Sequence, residues 1–442
     1  MGTAPLLGSS IPLLLSSLLA ISSPLPPAAT ASSQRADIIQ NSSVSPADAL
    51  VAHIRIRIEQ LLSIPQPELF RRHLQSVLAL CEDGALKLRF AGLDRNQQQA
   101  EMLGYLKVIE TGLEHEDAQE YLVQGRRALD VARLSQSDGT LQVYTVSLPS
   151  HWDAQKAYRL FVVLHGRWSD LPLALVADSL SPHDKGQEPN EDAIILTPWI
   201  RGSSEYRLQY GSEPDLWEAI DDVKTFATLD PDRWYISGHS WGGDDTWATV
   251  LRTPDLWAAA GIMAGHPHGV PQEEGLVDNA RNEPFYLWRG DHDPTGGRVE
   301  AFNYFRDSLT VAGDPPKIVV AQGVQHMYRP QDFAAMKSWL FEHTRRRPDH
   351  FSYVIDTPIH RGVWGVSIPV KYPGAYFNVE PKVSFECWIE GNTVKIRTKD
   401  TNRIDIDLGP QGLKLAGEVK IIVNGKQVFQ GPIPAKPITF TW

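Results

Sequence analysis

Cysteine is scarce in this chain: Cys81 and Cys387 are the two in 442 residues. Two thiols cannot form a disulfide scaffold, nor can they make a cysteine zinc site alone. They fall in separate segments, so both are expected to be free and buried. Clustered cations are missing too. Lys+Arg 42 against Asp+Glu 53 leaves a formal charge of −11, and no run of Lys or Arg is longer than the three of Arg345-Arg346-Arg347. This excludes nucleic acid as the main partner, because phosphate contacts need concentrated positive charge. No internal repeat or low-complexity tract is present, and no apolar stretch after the first 31 residues is long enough to cross a bilayer. Apolar and aromatic side chains are plentiful: 42 % of residues are hydrophobic, with 13 Trp, 13 Tyr and 14 Phe. That composition can bury a large core and excludes disorder. The length suits two or three domains of roughly 100–200 residues.

Residues 1–31 carry no charged side chain, and Ile11–Ile21 (IPLLLSSLLAI) is apolar but short for a membrane span, which needs about 20 residues. Ala29-Thr30-Ala31 then fits the A-x-A pattern of a signal-peptidase site. Residues 1–31 are therefore expected to be a signal peptide, and the protein secreted or periplasmic. No Cys follows the apolar stretch, which argues against a lipoprotein anchor.

Residues 32–120 read as a polar linker followed by a helical segment. Ser45-Pro46-Ala47-Asp48 has the cap, first-turn proline and acid of a helix start. Leu50, Val51, Ile54, Ile58, Leu61 and Leu62 follow as a helical stripe, although HIRIRI can also be read as an alternating strand. A second stripe holds Leu69, Phe70, Leu74, Val77, Leu78 and Cys81, and a third begins near Asn96. No chemistry is evident there, and a packing or lid element is expected.

From about 121 to 348 short β runs alternate with helical patterns. The strand candidates are LQVYTVSL, RLFVVL, AIILT, WYIS, Ala258–Ala264, PFYLWR and KIVVA. The helices are clearest at Asp215–Ala227, Asp244–Arg252, Arg298–Val311 and Gln331–Thr344. Such alternation predicts an α/β domain, a mostly parallel sheet with helices on both faces. Residues 349–442 are strand-rich: FSYVID, GVWGVSIPV, AYFNVEPKVSFECWI, TVKIRT, RIDIDL, EVKIIV and QVFQG, with Asn424-Gly425 as a hairpin signal. A β-sandwich-like accessory domain is predicted.

The chemistry concentrates in Trp234–Val250, WYISGHSWGGDDTWATV. A β run leads through Gly238-His239-Ser240-Trp241-Gly242 into a helix, the arrangement of a nucleophile elbow. Such a turn strains the backbone at Ser240, so the residues two before and two after it must lack a Cβ. The helix start behind Ser240 offers N–H groups to a developing oxyanion. A nucleophilic serine needs a base, and the base needs an orienting acid. Gly290-Asp291-His292-Asp293-Pro294 follows PFYLWR, and Gly323-Val324-Gln325-His326-Met327-Tyr328 follows KIVVA. Both lie at strand ends, where open α/β sheets carry their sites. Asp293 is favoured over Asp291, because the third position after the glycine reaches back towards His326; Asp291 is the alternative. His165, His239, His266 and His268 are read as structural or pocket-lining. Asp291, His292 and Asp293 could suggest a metal, but a triad accounts for them without one.

The set Ser137-Asp138-Gly139-Thr140, FVVLHG, TPWIRG, DPDRWYISGHSWGG, LWRGDHDP and VQHMY resembles the α/β-hydrolase superfamily over about residues 121–347. More narrowly it is similar to prolyl oligopeptidase-like hydrolases and to secreted esterases related to feruloyl esterases and polyhydroxybutyrate depolymerases. The order Ser240, Asp293, His326 is that of the superfamily. The resemblance implies Ser240 as nucleophile, His326 as base, Asp293 as acid, and the N–H groups of Trp241 and Arg167 as oxyanion donors. Many esterases carry a longer glycine run where this chain has His-Gly-Arg-Trp. The implied reaction is acyl transfer from a small-molecule or polymer-linked ester, with no cofactor and no metal. Trp168, Trp199, Arg201, Tyr206, Trp241 and His266 lie in or beside strand-end loops and are candidates to line the substrate pocket. The flanking segments lack the propeller of true prolyl oligopeptidases. A serine esterase is thus the first reading, a peptidase of the oligopeptidase branch the second, and a carbohydrate-binding protein with a vestigial core the third.

Overall fold

The computed structural model describes residues 128–149 except 140, 152–166 except 154, 193–198, 213–265, 276–312, 315–357, 359–369 and 383–442, and parts of 52–65 and 71–78. The expected signal peptide, the third helical stripe and Cys81 lie outside the described residues.

The central element is an eight-stranded sheet. Its strands are β1 (Ala128–Leu134), β2 (Leu141–Ser147), β3 (Ala157–Leu164), β4 (Ala193–Pro198), β5 (Thr228–His239), β6 (Ala259–Met263), β7 (Phe285–Gly290) and β8 (Lys317–Ala321). They lie in the order β1-β2-β4-β3-β5-β6-β7-β8. β1–β2 and β2–β4 pair antiparallel, and every pair from β4 to β8 is parallel. Helices α1 (Glu213–Val223), α2 (Trp241–Arg252), α3 (Gly296–Ala312) and α4 (Pro330–Phe341) connect or follow the strands. This strand order, with its antiparallel β2, is the α/β-hydrolase fold that the sequence predicts.

Successive strand residues serve opposite layers, since side chains alternate across a pleated strand. Leu160, Val162 and Leu164 of β3 join Leu216 and Ile220 of α1, Val250 and Leu251 of α2, and Phe302, Phe305 and Leu309 of α3. Phe161 and Val163 face the other way, with Phe333, Met336 and Leu340 of α4. Both sheet faces are covered, which is why RLFVVL reads as an unbroken apolar run. The described residues of 52–62 and 71–78 are helical, so Arg55, Ile56 and Ile58 of HIRIRI are in a helix and not a strand. Ile56 is left exposed, while Ile58, Leu61 and Leu74 are buried in the same core as α1 and α2. Arg72 pairs with Asp222 of α1 at 2.5 Å. The described part of this segment is a packing element.

After α4 the chain forms two more sheets. β9 (His350–Ile355), β12 (Val383–Glu390), β13 (Thr393–Lys399), β15 (Glu418–Val423) and β16 (Lys426–Pro432) make one, in the order β16-β15-β13-β12-β9. β10 (Gly362–Val363), β11 (Val366–Ser367), β14 (Arg403–Ile406) and β17 (Ile438–Thr441) make the other. Their inner faces share one core, including Phe351, Tyr353, Phe385, Ile396, Ile404, Ile421 and the free, buried Cys387. GVWGVSIPV is not one strand: Trp364 and Gly365, at φ 53° and 81°, turn it into the β10–β11 hairpin. Asn424 and Gly425, at φ 50° and 81°, make the β15–β16 turn as their dipeptide predicts.

This β-rich unit is docked on the eight-stranded sheet and its helices by buried polar contacts. Asn279, in the turn before β7, donates to the Val354 carbonyl at 3.0 Å and accepts from its N–H at 2.7 Å. Tyr353 donates to the carbonyl of Arg252 at 2.7 Å, and Trp364 N–H to Asp255 at 2.9 Å. Arg252, 4 % exposed, closes α2 and pairs with Asp356 at 2.5 Å. These anchor points precede β6 and β7, so the unit sits at the strand starts. α2 separates Arg252 from Ser240 by roughly 18 Å, at 1.5 Å per residue. Asp356→Ala removes the carboxylate partner of a buried guanidinium and is expected to cost about 3 kcal/mol, lowering Tm by roughly 5 °C. Thermal unfolding checks this; an unchanged Tm would mean the pair does not hold the two units together.

Candidate active site

The carboxyl ends of β3, β5, β7 and β8 lie at one end of the sheet, because every pair from β3 to β8 is parallel. Ser240 leaves β5 with φ 57° and ψ −119° and caps α2. Such a φ is uncommon for a residue with a side chain and stores strain where it occurs. The surrounding contacts hold it: Ser240 N–H donates to Met263 O at 2.9 Å, and its carbonyl accepts from Asp244 N–H at 3.0 Å. The elbow glycines are sterically required. A Cβ on Gly238 would overlap the Gly242 carbonyl, and one on Gly242 would overlap the carbonyls of Leu164 and His165.

The loops after β7 and β8 converge on this serine. His326 Nε2 lies 2.9 Å from Ser240 Oγ, and His326 Nδ1 lies 2.8 Å from Asp293 Oδ2. The other Asp293 oxygen accepts from Thr295, at 3.0 Å from N–H and 2.5 Å from the hydroxyl. Burial alone would raise the Asp293 pKa, since a carboxylate loses solvation there. The hydrogen bonds from Thr295 and His326 outweigh burial and hold the pKa below the usual value. An ionised Asp293 beside Nδ1 leaves Nε2 directed at the serine hydroxyl, so a proton can pass from Oγ to the imidazole.

Asp291 does not take part in this chain. Its Oδ1 accepts from Val324 N–H at 3.3 Å, while His292 N–H donates to Val324 O at 3.0 Å. These bonds tie the two loops together. Gly290 permits the approach, because a Cβ there would overlap the carbonyls of Val324 and Gln325.

Trp241 is the first residue of α2, so its N–H lies in the helix's first turn beside Ser240. The end of β3 comes close as well: a Cβ on Gly166 would stand 3.6 Å from Ser240 Cβ. His165 is buried, and its Nδ1 lies 3.0 Å from the Gly166 carbonyl. Arg167, Trp168, Trp199, Arg201, Tyr206, His266 and His268 lie outside the described residues. Among the described residues no cluster of His, Cys, Asp and Glu has the makings of a metal site, and no helix is long and apolar enough to cross a membrane. Sequence reasoning overlooked Thr295. Its only signal is local: a hydroxyl residue two after an Asp, in Asp293-Pro294-Thr295, is a common hydrogen-bonded turn.

No protein-family model matches the sequence, and no curated protein matches it. Solved structures are similar at low identity. A thermostable esterase aligns at 20 % identity and TM-score 0.40, over 50 % of this chain and 64 % of its own. A ferulic acid esterase from Anaeromyces mucronatus aligns at 19 % identity and TM-score 0.40, over 49 % and 90 %. A dipeptidyl aminopeptidase IV candidate from Bacteroides ovatus aligns at 16 % identity and TM-score 0.38, over 49 % and 36 %. The chain thus spans less than two thirds of the first and third of these proteins. By its own strand order and elbow, the chain has the α/β-hydrolase fold.

Proposed function

We propose that this protein is a serine hydrolase that cleaves carboxylic esters through an acyl-enzyme. The observation that carries the reading is the hydrogen-bonded series Asp293–His326–Ser240, with the serine on a strained elbow at the strand ends. Ser240 Oγ attacks the ester carbonyl while His326 Nε2 takes its proton. The developing oxyanion is held by the N–H of Trp241 and, in the reading carried from the resemblance, that of Arg167. His326 returns the proton to the departing alkoxide, leaving the acyl group on Ser240. Water then attacks the acyl-enzyme with His326 again as base, releasing the carboxylic acid and restoring Ser240 Oγ–H. Asp293 keeps the imidazole in the required tautomer throughout and stays ionised. No step calls for a cofactor. Trp168, Arg201, Tyr206 and His266 are the proposed pocket residues.

Ester cleavage is preferred to amide cleavage because an amine leaving group must be protonated as it departs and needs closer placement of both flanking chain segments. The described part of the β-rich unit is anchored at the strand starts, the opposite end of the sheet from Ser240. Measuring kcat/KM for matched acyl esters and peptidyl amides tests the substrate class. A clear preference for Pro- or Ala-type amides would make the protein a peptidase instead.

The charge-free apolar leader supports export, with a mature chain beginning near Ser32. N-terminal sequencing of the protein from its native host checks this; a retained Met1 on cytoplasmic protein would overturn it.

A further inference from the structure

His239, the residue before the nucleophile, takes no part in the proton path above, yet it reaches the base. It is 8 % exposed, and its Nε2 lies 2.8 Å from the main-chain carbonyl oxygen of His326. A carbonyl only accepts, so Nε2 carries the hydrogen and His239 donates. The two imidazole rings lie 4.8 Å apart at 47°. The His239 ring also meets Tyr328 nearly edge-on at 5.1 Å, and Tyr328 stacks on Phe333 of α4 at 5.6 Å. Burial pushes the Tyr328 phenol up to about 12, so this backing remains neutral.

We infer that His239 is the positioning residue for His326: the elbow that carries the nucleophile also carries the fastening point of its base. The inference rests on the reading of Ser240 as nucleophile and His326 as base. Asp293 holds the imidazole tip, while the described main-chain ties of the His326 loop to the loop after β7 act upstream, at Val324, through Asp291 and the His292 N–H. They leave Gln325 between the tie and His326, and they refer that loop to β7, not to the serine. The His239 bond acts on the peptide of His326 itself. Adjacent Cα atoms are 3.8 Å apart across a trans peptide. Any small shift of the elbow on substrate binding is therefore passed to His326 as well, and the 2.9 Å between Oγ and Nε2 is preserved. Two features of the side chain are used, an N–H donor for the carbonyl and a flat ring that meets both His326 and Tyr328. The donor sets the position; the ring fills the space.

The full-length protein with His239→Phe or His239→Gln separates these. Phenylalanine keeps a ring and loses the donor, while glutamine keeps an N–H donor and loses the ring. On p-nitrophenyl acetate, His239→Phe is expected to lower kcat by about 10- to 100-fold with KM changed less than about twofold, as for a misplaced catalytic group. His239→Gln is expected to recover most of the rate. Tm is measured on each, and His239→Leu replaces the phenylalanine variant if that one is unfolded. Wild-type kcat without the donor overturns the inference, and so does an equal loss in the donor-keeping and donor-lacking variants, which would trace the effect to ring packing. Labelling by a fluorophosphonate runs alongside. A wild-type protein not labelled at Ser240 sinks the underlying reading, whereas a labelled wild type with a fully active His239→Phe sinks only the role of His239.

Discussion

Ser240→Ala is expected to lower ester turnover by roughly three to six orders of magnitude, the loss typical when a triad nucleophile is removed. The fold should survive. The strained φ of 57° at this position is imposed by the glycines and strand ends around it, all of which remain, and alanine has no greater bulk than serine. Tm within about 1 °C of wild type is therefore expected, because surface-scale changes usually stay within about 0.5 kcal/mol. Steady-state hydrolysis of a p-nitrophenyl ester, read beside thermal unfolding, checks both parts. Near-normal hydrolysis by a folded Ser240→Ala protein would assign the chemistry to a different serine.

Asp293→Asn should be nearly as damaging, at roughly 10⁴-fold in kcat. Asparagine offers an N–H donor where His326 Nδ1 now meets a carboxylate oxygen at 2.8 Å. The imidazole must then turn Nδ1 into an acceptor, which places its hydrogen on Nε2, pointing at Ser240 Oγ when it should be accepting from it. Asp291→Asn is the matched control. Its Oδ1 accepts from Val324 N–H at 3.3 Å, and an amide oxygen can do the same. A small effect is expected there. The opposite ranking of the two variants would move the acid to Asp291 and leave Ser240 and His326 as they are.

Some of this arrangement was readable before any coordinates. The elbow is a local object: strand, Gly-x-Ser-x-Gly and helix follow one another within about a dozen residues. The steric demand on Gly238 comes from that turn, where a Cβ would meet the Gly242 carbonyl, whereas the demand on Gly242 comes from the end of β3. Asn424-Gly425 was readable for the same reason, since a two-residue hairpin needs positive φ at both positions. The apolar runs of β3, β6 and β7 were readable because both sheet faces are buried. β1 was not. Its sequence ALDVARL mixes charge with apolar residues, as suits the edge of a sheet, and its partner β2 supplies the pairing. β17 (ITFT) was likewise too short to stand out, and it is a strand because Thr439 and Thr441 pair with Asp405 and Arg403.

Asp291 and Asp293 differ by two residues and share one loop, and the sequence could only rank them. The tertiary structure separates them through partners that lie 33 residues away in each case, Val324 for one and His326 for the other. The same holds for Thr295, whose hydroxyl matters only because Asp293 is nearly enclosed, and for His239, whose partner is a carbonyl 87 residues distant. The mount of the β-rich unit on the far end of α2 is of this kind as well. What the sequence by itself determined was the set of elements, the elbow and the short list of reactive side chains, since strand and helix periods and glycine sterics act over a few residues. Only the tertiary structure decided which of those side chains meet, because the parallel run β5-β6-β7-β8 that brings their loops to one end of the sheet follows from the strand order, and no local pattern encodes that order.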